Sequence, residues 1–183
     1  MQRIQLFGKY SEGKFLLVDD EDFKKVNQYK WHCTNKGYVV RLAIVGYKDL
    51  SKPKYDWNCI TKTILVHRFI MDAPNNKEVD HWDNNKLNNQ KYNLRICTSQ
   101  QNKFNSRKHK NNKSGIKGVY LKGDGTHKTK PWEAKIHVDG KDIHLGYYMT
   151  KEEAGMARKE AEKKYHGEFA KLEKVDNTVL LYK

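Results

Sequence analysis

Apolar and polar positions change rhythm several times along this chain, and each change marks an element. KFLLV (14–18) is a short apolar run of strand length. DDEDFKKVNQYKW (19–31) opens on acids and continues into lysines, the charge order a helix dipole prefers, and predicts a helix. Gly37 in TNKGYVVRLAIV predicts a turn into a second strand, and LSKPKYDWN (50–58) a loop. KTILVHRFIM (62–71) is apolar enough for a strand or for the start of a short helix, and Asp72-Ala-Pro-Asn-Asn then predicts a turn. LRIC (94–97) alternates like a short strand. Thr98-Ser-Gln-Gln101 has capping-box spacing, so a helix is expected from about Ser99 toward Lys108.

Beyond RKHKNNKSG (107–115), a basic, turn-rich stretch that reads as a linker, the pattern becomes three strands and a helix. IKGVYLK (116–122), WEAKIHV (132–138) and KDIHLGYY (141–148) alternate, and Asp139-Gly140 is a two-residue hairpin signal. Thr150-Lys-Glu-Glu153 is a second capping box; Ala154, Ala157, Ala161 and Tyr165 follow one helical face, and Gly167 stops the helix. The expectation is a three-stranded antiparallel sheet packed on one helix. Alternation puts Val119, Leu121, Trp132, Ala134, Ile136, Val138, Ile143, Leu145 and Tyr147 on the helix side. Tyr120, Lys122, Lys135, His137 and His144 fall on the other. DNTVLLYK (176–183) reads equally as a last strand or a partner contact.

Composition then narrows the partners. A chain of 183 residues with 37% hydrophobic content suits one large or two small folded domains. A formal net charge of +14 favours a polyanion, nucleic acid before membrane. No Asp or Glu occurs between Asn84 and Gly123 while Lys and Arg recur, which favours a phosphate backbone alongside. MQRIQLFGKYSEGKF lacks the apolar core of a signal peptide, no stretch has the length of a membrane span, and a cytoplasmic location is expected. Cys33, Cys59 and Cys97 are scattered, without a CxxC pair, and fit a reducing interior rather than a disulfide framework or structural zinc.

The chemistry concentrates in VDHWDNNKLNNQKYNLRICTSQQN (79–102) and the preceding VHR (66–68). Asp80 and His81 lead, Asn93 follows twelve residues after His81, and Asn102 nine beyond that. With these spacings the run resembles the HNH endonuclease family in its phage and intron-borne homing variety. The resemblance implies a ββα-metal module over 61–108, holding one divalent cation, Mg2+ or Mn2+, per active site. It implies Asp80 and Asn102 as metal ligands, His81 as general base and Asn93 as a structural clamp. The chemistry supports the roles independently: an imidazole accepts a proton near neutrality, and a carboxylate with an amide oxygen suits a hard cation. Asn93 beside the base would also fix the imidazole tautomer. Asn102 stands where the family name has a histidine, which turns the site away from zinc. His67 reads as a packed structural histidine, Asp83 as a turn residue, and Arg68 and Arg95 as phosphate clamps.

Residues 114–171, through KGVY, WEAKI, LGYYMTKEEA and YHGEFA, resemble the AP2 DNA-binding domain. That resemblance implies a sheet set in the major groove of double-stranded DNA and backed by a helix. Arg107, Lys108, Lys110, Lys113, Lys117, Tyr120, Lys122, Lys135, His137 and His144 are the expected contacts. Positions where arginines would read guanines hold Tyr120, Lys122 and His137 here, so no target sequence carries over. The sequence therefore predicts an α+β chain: residues 1–60 a mixed segment serving as scaffold or DNA positioning, 61–108 the nuclease module, 109–115 a basic linker, 116–172 the AP2-like domain and 173–183 a tail. The expected activity is site-preferring DNA cleavage of homing type, nicking or cutting both strands, with a monomer favoured and a homodimer the alternative. Its rival is a non-catalytic DNA-binding regulator retaining a degenerate fold.

Overall fold

The computed structural model describes residues 1–48, 59–106, 108, 111–122 and 128–170. The chain packs as two compact units, Met1–Ser99 and Gln100–Lys183, so residues 1–60 and the Asp-His strands fall in the same unit. The expected loop at 50–58 and the strand or contact at 176–183 lie outside the described residues.

In the first unit β1 (Gln2–Gln5) pairs antiparallel with β2 (Phe15–Val18), Ile4 opposite Leu16. Helix α1 (Asp20–Asn27) stops earlier than its charge pattern suggests. The chain turns at Gln28 so that Trp31 is fully buried, and its indole N–H donates to the Val26 carbonyl at 2.9 Å. β3 (His32–Cys33), β4 (Val39–Tyr47) and β5 (Cys59–Leu65) form an antiparallel sheet in that order. The 62–71 stretch, left open between strand and helix, is both: β5 runs to Leu65 and α2 (Val66–Met71) begins at the next residue. β6 (Glu78–His81) and β7 (Leu94–Cys97) form a separate antiparallel pair. One core joins these parts, since Leu16, Val18, Val26, Trp31, Val39, Val66, Val79 and Leu94 belong to a single buried cluster. Burial of that apolar surface makes the N-terminal hairpin and the strands carrying Asp80-His81 one folding unit.

Helix α3 (Ser99–Phe104) begins as expected but ends short of Lys108. The Lys117 ammonium donates to the carbonyls of Lys103 (3.3 Å), Phe104 (3.0 Å) and Ser106 (3.1 Å), a cationic cap on the helix's last turn. The second unit's sheet comprises β8 (Val119–Leu121), β9 (Trp132–Val138) and β10 (Lys141–Tyr148), ordered β10-β9-β8 and antiparallel throughout. Asp139 and Gly140 both have positive φ, as a tight hairpin turn requires. The capping box of Thr150 and Glu153 is formed at the start of α4 (Lys151–His166). The core here is small: Val119, Ala134 and Ala154, with Ile116, Trp132, Leu145 and Tyr148 against them.

Two face assignments change. A register shift between His144 and Gly146 inserts one extra residue, so Tyr147 lies opposite Glu133 and Tyr148 turns to the helix in its place. Leu121, expected in the core, is 60% exposed. The first strand is also shorter than 116–122, because Gly118 takes φ +75° and lets the Lys135 carbonyl and the Arg158 side chain approach its backbone. No helix among the described residues is long and apolar enough to cross a membrane.

A Cβ at Gly118 would stand 2.5 Å from the Lys135 carbonyl oxygen, at a φ that L-residues avoid. Gly118→Ala is expected to destabilise the protein by about 1–3 kcal/mol. Thermal denaturation followed by circular dichroism checks this.

Candidate active site

Asp80 and His81 end β6, and both are buried, at 6% and 5% exposure. Antiparallel register sets Asp80 opposite Arg95 and His81 opposite Leu94. The Arg95 guanidinium pairs with Oδ2 of Asp80, so the acidic group taken out of water has its countercharge across the ladder.

Residues 82–93 then form a loop held by its own side chains. Asn93, fully buried, donates from Nδ2 to Asp83 Oδ1 (2.9 Å) and to the Asn88 carbonyl (2.8 Å). Its Oδ1 accepts the Asp83 backbone N–H at 3.0 Å. Asp83, expected as a turn residue, is the hub: it also accepts from the Asn85 N–H (2.7 Å) and from Asn88 Nδ2 (3.0 Å). Asn84 takes φ +58°, the left-handed region that asparagine tolerates.

His81 Nε2 lies 3.2 Å from Oδ1 of Asn89, whose Nδ2 donates to the Lys86 carbonyl at 2.9 Å. That donation assigns the amide and aims its carbonyl oxygen at the imidazole. The amide set against the imidazole is thus that of Asn89, while the Asn93 amide, expected there, meets Asp83 and Asn88. Asn89 looks in the sequence like any of its asparagine neighbours; what separates it is its contact with the imidazole. His67 packs edge-on to His81, ring centroids 5.0 Å apart, and the Tyr38 ring flanks His67 at 5.8 Å. Burial lowers the His81 pKa, against the raising effects of the Asn89 hydrogen bond and the nearby Asp83 and Asp80 charges. Burial first, then the proximity of His81, Arg68 and Lys86, pushes His67 down to about 3.

The predicted nucleic-acid contacts divide. Arg68 is a staple, not an outward clamp: its guanidinium donates to the carbonyls of Lys77 (2.6 Å), Ala73 (3.1 Å) and Pro74 (2.8 Å), closing the loop after α2. Arg95 is paired with Asp80, and Lys117 caps α3. Lys108 is exposed and donates to the Gly115 carbonyl at 2.9 Å; Lys113 and Tyr120 are exposed. Arg107 and Lys110 lie outside the described residues.

On the outer sheet face, Lys122 (3.2 Å), Lys135 (3.3 Å) and His144 (3.2 Å) converge on Glu133, a carboxylate only 4% exposed. Burial raises the Glu133 pKa, but the hydrogen bonds and charges of Lys122 and Lys135 outweigh it and hold the pKa below the ordinary glutamate value. His137 pairs with Asp142 at 2.6 Å. The face read as mostly basic thus has an acidic centre, Glu133, which the sequence reading did not include among its residues.

For a metal, the donor types at Asp80 and Asn102 are a carboxylate and an amide oxygen, a set that fits a hard cation. Asn102 falls on α3, half-buried. Cys97, on the strand paired with β6, is no soft ligand: burial, then the Asp80 and Glu78 charges, push its thiol up to about 11. Among the described residues a three-member acidic cluster occurs elsewhere, at Asp19, Glu21 and Asp22, and Lys91 already pairs with two of its carboxylates.

Comparison with known proteins adds the following. A family model described as HNH endonuclease matches residues 72–104. The chain is 32% identical to an uncharacterized HNH endonuclease of Acanthamoeba polyphaga mimivirus over 171 residues, which is 90% of this chain and 78% of that protein. No solved structure matches.

The His67 environment sets a pH dependence. An unfolded histidine titrates near 6.5, while folded His67 does so at about 3. Across that window the unfolded chain binds a proton that the folded chain does not, so stability rises with pH. The His67 contribution approaches about 1.4 kcal/mol per pH unit. His67→Phe is expected to flatten the acid side of the stability curve, measured by urea denaturation between pH 4 and 7.

Proposed function

The chain belongs to the HNH endonuclease family, and from that membership we propose a site-preferring DNA endonuclease of homing type with His81 as general base. The observation that carries this reading is the buried Asp80-His81 pair with Nε2 of His81 against the Asn89 carbonyl. A carbonyl oxygen only accepts, so Nε2 carries the proton and the basic lone pair sits on Nδ1. Burial keeps the imidazole unprotonated near neutrality. His81 takes a proton from water, the hydroxide oxygen bonds to phosphorus, and the P–O3′ bond breaks; the departing O3′ takes a proton from solvent water, leaving a 3′-hydroxyl and a 5′-phosphate.

Asp80 and Asn102 are the residues that would hold one Mg2+ or Mn2+. Asn102 is assigned by chain spacing, nine residues beyond Asn93. When bound, such an ion supplies charge neutralisation at the scissile phosphate and the leaving oxygen. Arg95, paired with Asp80, orients that carboxylate. Asn93 and Asp83 keep the loop in the conformation that presents Asn89.

Double-stranded DNA is the partner, met by an AP2-like second unit. Its sheet face offers Tyr120, Lys122, Lys135 and His144, and the charge of +14 supports a phosphate-tracking role. One site per chain favours nicking by a monomer. The homing assignment draws on the resemblance of the Asp-His run, and a viral relative accords with an origin in a phage or mobile element.

Plasmid cleavage with and without Mg2+ separates the nuclease from a DNA-binding regulator. His81→Ala is expected to reduce strand scission by about 100-fold or more, while affinity for DNA measured in EDTA stays unchanged. Cleavage that survives this substitution would remove His81 from the role of base. Binding is expected to weaken linearly in log–log form with added salt; a flat response would discredit the phosphate contacts.

A further inference from the structure

Resting on the nuclease reading above, we propose that Asp19, in the N-terminal segment, is a positioning residue of the active site: its carboxylate holds the loop that presents Asn89 to His81. Asp19 stands at the N-cap of α1 and is of a residue type well suited to capping, yet its side chain makes no capping bond. The first-turn N–H groups of Asp22 and Phe23 go to its backbone carbonyl instead.

The carboxylate reaches to a part of the chain far away in sequence. Oδ1 accepts from Gln90 Nε2 at 2.9 Å, and Oδ2 from the Lys91 backbone N–H at 2.8 Å. Just upstream, Leu17 on β2 donates to the Leu87 carbonyl and accepts the Asn89 N–H, both at 2.8 Å. Asn89 is therefore bracketed. Its own N–H is tied to β2, and the next two residues are tied to Asp19. The Lys91 ammonium adds a contact to Glu21 at 2.6 Å.

The bracket matters because the contact it supports is fine. Asn89 Oδ1 meets His81 Nε2 at 3.2 Å. A shift of roughly 1 Å in the loop would carry that pair beyond hydrogen-bond range and free the imidazole to exchange tautomers. The segment read only as scaffold or DNA positioning thus reaches the catalytic base through two intermediaries, the loop backbone and the Asn89 amide.

The test compares Asp19→Ala, Asp19→Asn, Asn89→Ala and the Asp19→Ala/Asn89→Ala pair on a plasmid with Mg2+, after circular dichroism has established folding. Asp19→Ala is expected to lower kcat by about 10- to 100-fold with KM within about twofold. Asp19→Asn is expected to recover most of the rate. Its Oδ1 can accept from Lys91 N–H, and the Gln90 amide can turn to accept from the new Nδ2. The double variant is expected to be no slower than Asn89→Ala alone. In parallel, 15N spectra of histidine-labelled, metal-free protein should show His81 as the Nε2–H tautomer in the wild type and as a mixture in Asp19→Ala. Independent, multiplying effects in the double variant, or an unchanged tautomer in Asp19→Ala, would overturn the proposal. A wild type that fails to cut sinks the nuclease reading, while the 15N spectra still decide the role of Asp19.

Discussion

The hydrogen bonds among Asp83, Asn88 and Asn93 close a polar loop whose inner members are removed from water, and the active-site geometry depends on that closure. A buried amide left without partners costs on the order of 1–3 kcal/mol, so a run with this many asparagines is stable only in a conformation that pairs them. That conformation leaves Asn89 facing His81. The same requirement holds the loop in one conformation although its regular secondary structure is limited to the 3-10 turn at Lys91–Asn93.

The first unit builds outward from this loop. β6 and β7 carry its two ends and share their apolar residues with β2, α1 and α2. Polar attachments then fix it from outside, among them the backbone pairing of Leu17 and the carboxylate of Asp19. Charges follow the same logic. Asp80 is buried against Arg95, and His67 and His81 share one dry corner in which both imidazoles are held neutral.

The second unit repeats the theme on a sheet. Glu133 is drawn beneath Lys122, Lys135 and His144, so these side chains are held over the face by a buried carboxylate rather than left to wave in solvent. Such ordering limits the entropy that long side chains lose on meeting a polyanion. It also reduces the net charge that the face offers.

Several elements were legible in the sequence because their signals are local. The Thr150 capping box, the Asp139-Gly140 hairpin and the LRIC strand depend on near neighbours in the chain, and local backbone preference decides them. Tertiary structure alone decided the rest. Which asparagine faces the imidazole, that Arg68 and Lys117 turn inward onto carbonyl groups, that a bulge exchanges Tyr147 for Tyr148, and that residues 1–60 share a core with the Asp-His strands all depend on groups brought together from distant parts of the chain. A side chain's type states what it can bond to; only the fold determines which partner is within about 3 Å.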